Sequence, residues 1–128
     1  MIVGSAQEED HERGVAHILE HLAFNATENY SNHQIVSFLE AIGASFGACQ
    51  NAYTSSDETV YQLTVPTEEW RLLDQAIGVL AEWAARIRCA PGDLSKERGP
   101  VLEEWRASRT SGGRMQEAHW QLILEGSK

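Results

Sequence analysis

Residues 44–66 read "ASFGACQNAYTSSDETVYQLTVP", and the register of this stretch decides the fold. Thr59, Tyr61 and Thr64 interleave with Val60, Leu63 and Val65 before Pro66 ends the run, a β-branched and aromatic pattern that suits strands. Two strands are expected, over roughly 44–51 and 58–65, joined through "TSSD" at 54–57. Both flanks carry helical spacing instead. Upstream, Ile35, Phe38, Leu39 and Ile42 form one apolar face, with Ser31 as N-cap and Gly43 as the stop. Downstream, Thr67 is placed to cap a long amphipathic helix carrying Trp70, Leu73, Ile77, Leu80, Trp83 and Ile87.

Working outward, "APGD" at 90–93 breaks that helix, and Asp93 caps another running to about Thr110. "SGG" at 111–113 reads as a hinge before a last helical stretch, "RMQEAHWQLILEG". At the other end, "IVGSA" at 2–6 reads as the end of a strand entering an acidic loop that closes at Gly14. From Val15 to about Ala26 the apolar residues Val15, Ile18, Leu19 and Leu22 recur at helical spacing. The fold class expected is α+β, an antiparallel sheet covered by helices. With few strands and a close on "EGSK", residues 1–128 read as one partial domain of a larger fold.

A chain of 128 residues is long enough to bury a real core. No apolar run approaches the roughly 18 to 20 residues needed to cross a bilayer, so a soluble chain without a membrane partner is expected. The start lacks the apolar core of a signal peptide and the Arg-rich bias of a transit peptide. A formal net charge of -9 argues against nucleic acid, whose phosphates need clustered Lys and Arg, and favours a basic or neutral peptide. Cys49 and Cys89 lie far apart without CxxC spacing and are expected as two buried free thiols.

The chemistry is stated most directly by "HILEH" at 17–21. On a helix, His17 and His21 project from one face a turn apart, so both imidazoles reach one ion. Glu20 stands on the edge of that face, placed to deprotonate a metal-bound water. A solvated His/Glu stripe has the same spacing, but HxxEH arises by chance in a chain this long on the order of one time in a hundred or less. A catalytic zinc site needs a third protein ligand, and "SKERGPVLEEW" at 95–105 offers Glu97, Glu103 and Glu104. Spacing alone does not choose among them. Glu97 and Glu104 are seven apart and share a face, so one can bind metal while the other holds a ligand histidine. Phe24, one turn beyond the motif, reads as core, with a pocket beside the metal as the second reading.

"GVAHILEHLAF" at 14–24 resembles the active-site helix of the M16 metallopeptidases, the inverzincins, which include pitrilysin, insulin-degrading enzyme and the mitochondrial processing peptidases. The resemblance continues through "FLEAIGASFGACQNAYTSSDETVYQLTVP" at 38–66 and "LSKERGPVLEEWR" at 94–106, in the family's order and over nearly all of the chain. It implies a LuxS/M16-like metallohydrolase domain that binds Zn2+ and hydrolyses peptide bonds of unfolded peptides. His17 and His21 are implied as zinc ligands, Glu20 as general base, Glu97 as third ligand and Glu104 in a supporting role. A further family glutamate, a turn or two before the third ligand, falls near position 90, where this chain has Ala90. Asn51, Ala52 and Tyr53 resemble the edge strand that pairs with substrate backbone, although a plain turn between strands has the same composition.

Members of the family carry a second half that closes the chamber and is implied to supply an arginine and a tyrosine to the substrate carbonyl. The expected partner is therefore that C-terminal half or a second copy of this chain in a homo-oligomer. The competing reading is a non-catalytic module of the same fold that binds peptides or subunits. A metal-storage domain fits less well, because a storage site is closed by four protein ligands. The C-terminal sequence looks most like plant and algal members with bacterial relatives, which keeps chloroplast, mitochondrion and cytoplasm all open.

Overall fold

The hairpin forms where the interleaved pattern is densest. In the computed structural model, which describes residues 1–31 and 33–126, β1 (Gln50–Thr54) pairs antiparallel with β2 (Thr59–Leu63). Asn32 and the last two residues of "EGSK" lie outside the described residues. The expected first strand loses residues 44–49, because Gly43 just before them and Gly47 among them take φ of 87° and 80° and residues 47–49 form a turn. The Gly47 N–H donates to the Gln50 carbonyl at 2.9 Å, which closes the turn just before β1.

Five α-helices accompany this hairpin among the described residues: α1 (Val15–Asn25), α2 (Gln34–Ala41), α3 (Trp70–Ala85), α4 (Pro91–Ser108) and α5 (Ser111–Ile123). Helix α1 lies on both strands, α3 packs on β2, and α4 runs along α1. The core gathers Ala23, Ile35, Leu39, Ala44, Val79 and Trp83, with Phe24, Tyr61 and Leu63 against it. Trp83 anchors it: the side chain is 1% exposed, stacks on Tyr61 at 5.5 Å, and donates its indole N–H to the Ala23 carbonyl at 3.0 Å.

Several expected boundaries move. Met1–Val3 is not a strand, although Met1 exchanges two backbone hydrogen bonds with Thr59 at 2.8 and 3.0 Å on the outer side of β2. Gly4 then passes so close to the hairpin turn that a Cβ would collide with the Ser55 carbonyl, and Ser5–Gln7 forms a short 3-10 turn. Ser31 does not cap α2. Its N–H instead meets the Gln34 side chain at 2.7 Å, and His33 makes the left-handed step into the helix at φ 59°. Glu69, not Thr67, precedes α3. Asp93 lies inside the first turn of α4 behind Pro91, paired to Arg88 at 2.9 Å, while Ala90 holds the cap position.

The "SGG" segment is not a hinge. It is the first turn of α5, whose N-cap Thr110 accepts a hydrogen bond from the Gly113 N–H. On α3 the buried residues are Ala76, Val79, Glu82 and Trp83, whereas Trp70, Ile77 and Leu80 of the expected apolar face are exposed. Both cysteines are free thiols, but Cys49 is half-buried and Cys89 exposed rather than buried.

The site-bearing helix α1 is clamped at both ends. At its start, the Glu8 carboxylate accepts from the N–H groups of Gly14 and Ala16 at 2.8 and 2.7 Å, which fills donors that a helix leaves open and places negative charge at its positive end. At its far end, buried Glu82 accepts from the Thr27 hydroxyl at 2.6 Å, the Asn29 side chain at 2.7 Å and Arg86 at 2.9 Å. Burial pushes the Glu82 carboxyl up, but those donors outweigh it and hold the group down at about 2.

Candidate metal centre

Four-residue spacing on α1 sets His17 above His21, their Nε2 atoms 3.3 Å apart and their rings edge-to-face. Helix α4, lying along α1, brings the carboxylate of Glu104 to the same point: its Oε2 is 3.3 Å from Nε2 of His17 and 3.3 Å from Nε2 of His21. Three donor atoms thus form a nearly equilateral triangle. Around an ion held at about 2.0–2.1 Å, tetrahedral donors stand roughly 3.3–3.4 Å apart, so this donor set fits zinc in chemistry and in spacing.

The positions of the two α4 glutamates reverse the order implied by the resemblance. Glu104, not Glu97, stands at the Nε2 vertex, and Glu97 Oε2 lies 3.6 Å from Nδ1 of His21, on the other edge of that ring. The reason is helical: seven residues are two turns, so both carboxylates face α1, but Glu104 lies level with the histidine tips while Glu97 lies behind His21. Glu103, the remaining candidate, is turned outward and pairs with Arg106.

Glu20 is held from the hairpin. The Thr54 hydroxyl, at the last position of β1, donates to Glu20 Oε2 at 2.5 Å. Behind it, Thr59 Oγ1 lies 3.3 Å from Thr54 Oγ1 and donates to the Val3 carbonyl at 3.0 Å. Tyr61 contributes a hydroxyl that is buried without a hydrogen-bond partner among the described residues. Burial and then the neighbouring Glu20 charge push its ionisation up, so it stays neutral.

A cavity of about 580 Å³ joins these groups. Its walls include His17, Glu20, His21, Glu97 and Glu104, and Asn51, Ala52 and Tyr53 line its β1 side. Because Thr59 gives its backbone groups to Met1, the Thr54↔Thr59 pair is a non-hydrogen-bonded pair, and so by alternation is Ala52↔Tyr61. Ala52 therefore turns its N–H and C=O away from β2, and the Asn51 side chain covers that N–H at 3.0 Å. All eight expected site residues share this one cavity.

Sequence reasoning missed Thr54, His33, Val36 and Phe46, which also line it, and Glu8, which caps α1. A hydroxyl ending the "NAYT" strand was a readable signal for Thr54. Glu8 had none, since its role depends on how the acidic loop folds back. Phe24 fulfils both readings, lining the cavity and packing 5.0 Å from Trp83.

Comparison with known proteins follows the same lines. The chain is 60% identical over 126 residues to a protein of Arabidopsis thaliana named "Zinc protease PQQL-like", and 38% identical over 125 residues to "Probable zinc protease PqqL" of Escherichia coli. Each alignment covers 98% of this chain, which spans 13% of the length of each relative. The crystal structure of the first half of the periplasmic protease PqqL from Escherichia coli matches 98% of this chain with a TM-score of 0.91 at 38% identity, using 27% of that structure. The model of the insulinase family, peptidase family M16, matches residues 1–121, and the chain belongs to that family.

Proposed function

We propose that this chain carries the zinc-binding part of a metalloendopeptidase centre that hydrolyses peptide bonds in unfolded peptides. The observation that carries the reading is the triangle of His17, His21 and Glu104 donors at 3.3 Å, in one cavity with the Glu20 carboxylate and an open strand edge. His17, His21 and Glu104 would hold Zn2+, with Glu97 behind His21. When bound, the ion supplies Lewis acidity at the open vertex, acidifying water and polarising a carbonyl.

The chain's own residues do the rest. Negative charge at Glu97 favours the His21 tautomer with its proton on Nδ1, leaving the Nε2 lone pair directed at the vertex. Glu20 takes the proton of the attacking water and returns it to the leaving amine, with Thr54 fixing the carboxylate oxygen that is not exchanging the proton. A peptide in extended form pairs with the outward N–H and C=O of Ala52, its carbonyl displacing the Asn51 amide. The position expected to be missing near Ala90 is then filled two turns before the ligand by Glu97.

A second reading is favoured by extent: the chain spans 13% of its relatives' length. In that reading it is a peptide- or subunit-binding part that needs a C-terminal half, or a second copy, seated on exposed apolar groups such as Trp70, Ile77 and Trp120. The test is cleavage of a mixed pool of unfolded peptides by the zinc-loaded chain beside Glu20→Gln, read by mass spectrometry. Cleavage by the wild type alone supports the peptidase. Full zinc with no cleavage in either leaves the binding reading.

A further inference from the structure

A second concavity, about 640 Å³, opens beside the metal triangle and has no part in the scheme above. Its floor is a stripe of α4, Val101, Leu102, Trp105 and Ser108, and its far wall is the turn Arg13–Gly14 where the acidic loop enters α1. His17 and Glu104 line both this groove and the main cavity, so the two meet at the metal centre rather than being separated by it.

Three features define an occupant. Leu102 and Trp105 are 40% and 56% exposed although they are large and apolar, and they stand side by side at helical spacing. Arg109, stacked 5.2 Å over the Trp105 indole ring, is also bonded to Glu117 at 3.1 Å. Arg13, at the rim, is paired to Asp10 at 2.7 Å. With both guanidiniums committed, what the groove offers a newcomer is apolar surface. Because His17 and Glu104 line both cavities, a peptide held on β1 with its scissile bond at the triangle abuts this groove.

We infer that the α1–α4 groove is a side-chain subsite that takes one large apolar residue, aromatic or branched aliphatic, of the bound peptide, close to the bond at the metal centre. The inference rests on the proposed peptidase reading and adds to it a specificity set by α4 rather than by the strand edge. Leu102 and Trp105 are its determinants. Neither residue donates to the metal triangle.

The experiment uses short peptides identical except for a Phe-for-Ala exchange walked along the sequence. Cleavage by the zinc-loaded chain is compared with that by Leu102→Ala and Trp105→Ala, with zinc content measured in each. The expected result is a preference of about tenfold in kcat/KM for Phe at one fixed position near the cut, lost in either variant while zinc content holds. Cleavage with no positional preference, or a preference that both variants retain, overturns the subsite and leaves hydrolysis standing. If nothing is cut, the same peptides are titrated against zinc-loaded Glu20→Gln. Tighter binding of one Phe peptide that Leu102→Ala removes keeps the subsite and discards hydrolysis, and equal binding of all peptides discards both.

Discussion

Glu97 stands 3.6 Å from Nδ1 of His21, while Nε2 of the same ring is 3.3 Å from Glu104. One imidazole is thus addressed by two carboxylates from one helix, and its two nitrogens are given different work. In the proposed scheme the carboxylate behind the ring orients it through Nδ1, and the one in front completes the donor triangle. Since α4 runs along α1, the site is set by one helix pair, and the hairpin contributes the strand edge and the hold on Glu20.

The hold on Glu20 is open to a conservative test. Thr54→Val removes the hydroxyl at nearly constant shape and is expected to lower kcat roughly ten- to hundredfold, the range for a hydrogen bond to a charged group. Thr54→Ser should restore most of it. Steady-state kinetics with zinc content checked in parallel reads this directly, and KM should change little in either variant. An equal loss in Thr54→Ser, which keeps the hydroxyl, would contradict the role given to the hydrogen bond from Thr54 to Glu20.

Glu8 joins the acidic loop to the start of α1. Glu8→Ala leaves the N–H groups of Gly14 and Ala16 without their acceptor and removes a negative charge from a helix N-terminus. A loss of about 1–2 kcal/mol of stability is expected in urea melts. Glu8→Gln, which keeps one acceptor oxygen but loses the charge, serves as the comparison and should cost less.

Glu82 gives the fold a pH dependence. Its carboxyl is held at about 2 against an ordinary value of 4.5, because the donors Thr27, Arg86 and Asn29 outweigh the cost of its burial. The folded state therefore binds fewer protons than the unfolded one across that window. The resulting stability is fully present above about pH 4.5 and is lost as pH falls towards 2. Urea midpoints of the metal-free protein should fall over this range, and Glu82→Gln should flatten that part of the profile while lowering stability at neutral pH.

What the sequence disclosed and what it concealed divide along physical lines. Helices α1 and α2 were legible because their apolar residues repeat with one period, and HxxEH because two histidines a turn apart have one common direction. The face of α3 was not legible, since Trp70, Ile77 and Leu80 share a stripe as apolar as the one built on Ala76, Val79 and Trp83. Only the ring contacts of Trp83 with Phe24 and Tyr61 decide which side turns in. Gly43 and Gly47 hid the start of β1, because a β-branched or aromatic pattern does not reveal two left-handed steps before it. The choice between Glu97 and Glu104 was concealed for the same reason that both are useful: they share a helix face. Only the height of α4 against α1 assigns them, and that height is a tertiary fact.

The most direct measurement is the zinc content of Glu104→Gln and Glu97→Gln, prepared side by side and dialysed against a weak chelator, read by elemental mass spectrometry. Glu104→Gln is expected to emerge without metal. Glu97→Gln should still fill at saturating zinc, with affinity reduced about 10–100-fold because His21 loses the charge that orients it. Zinc retained in full by Glu104→Gln and lost from Glu97→Gln would contradict the assignment and return the third ligand to Glu97.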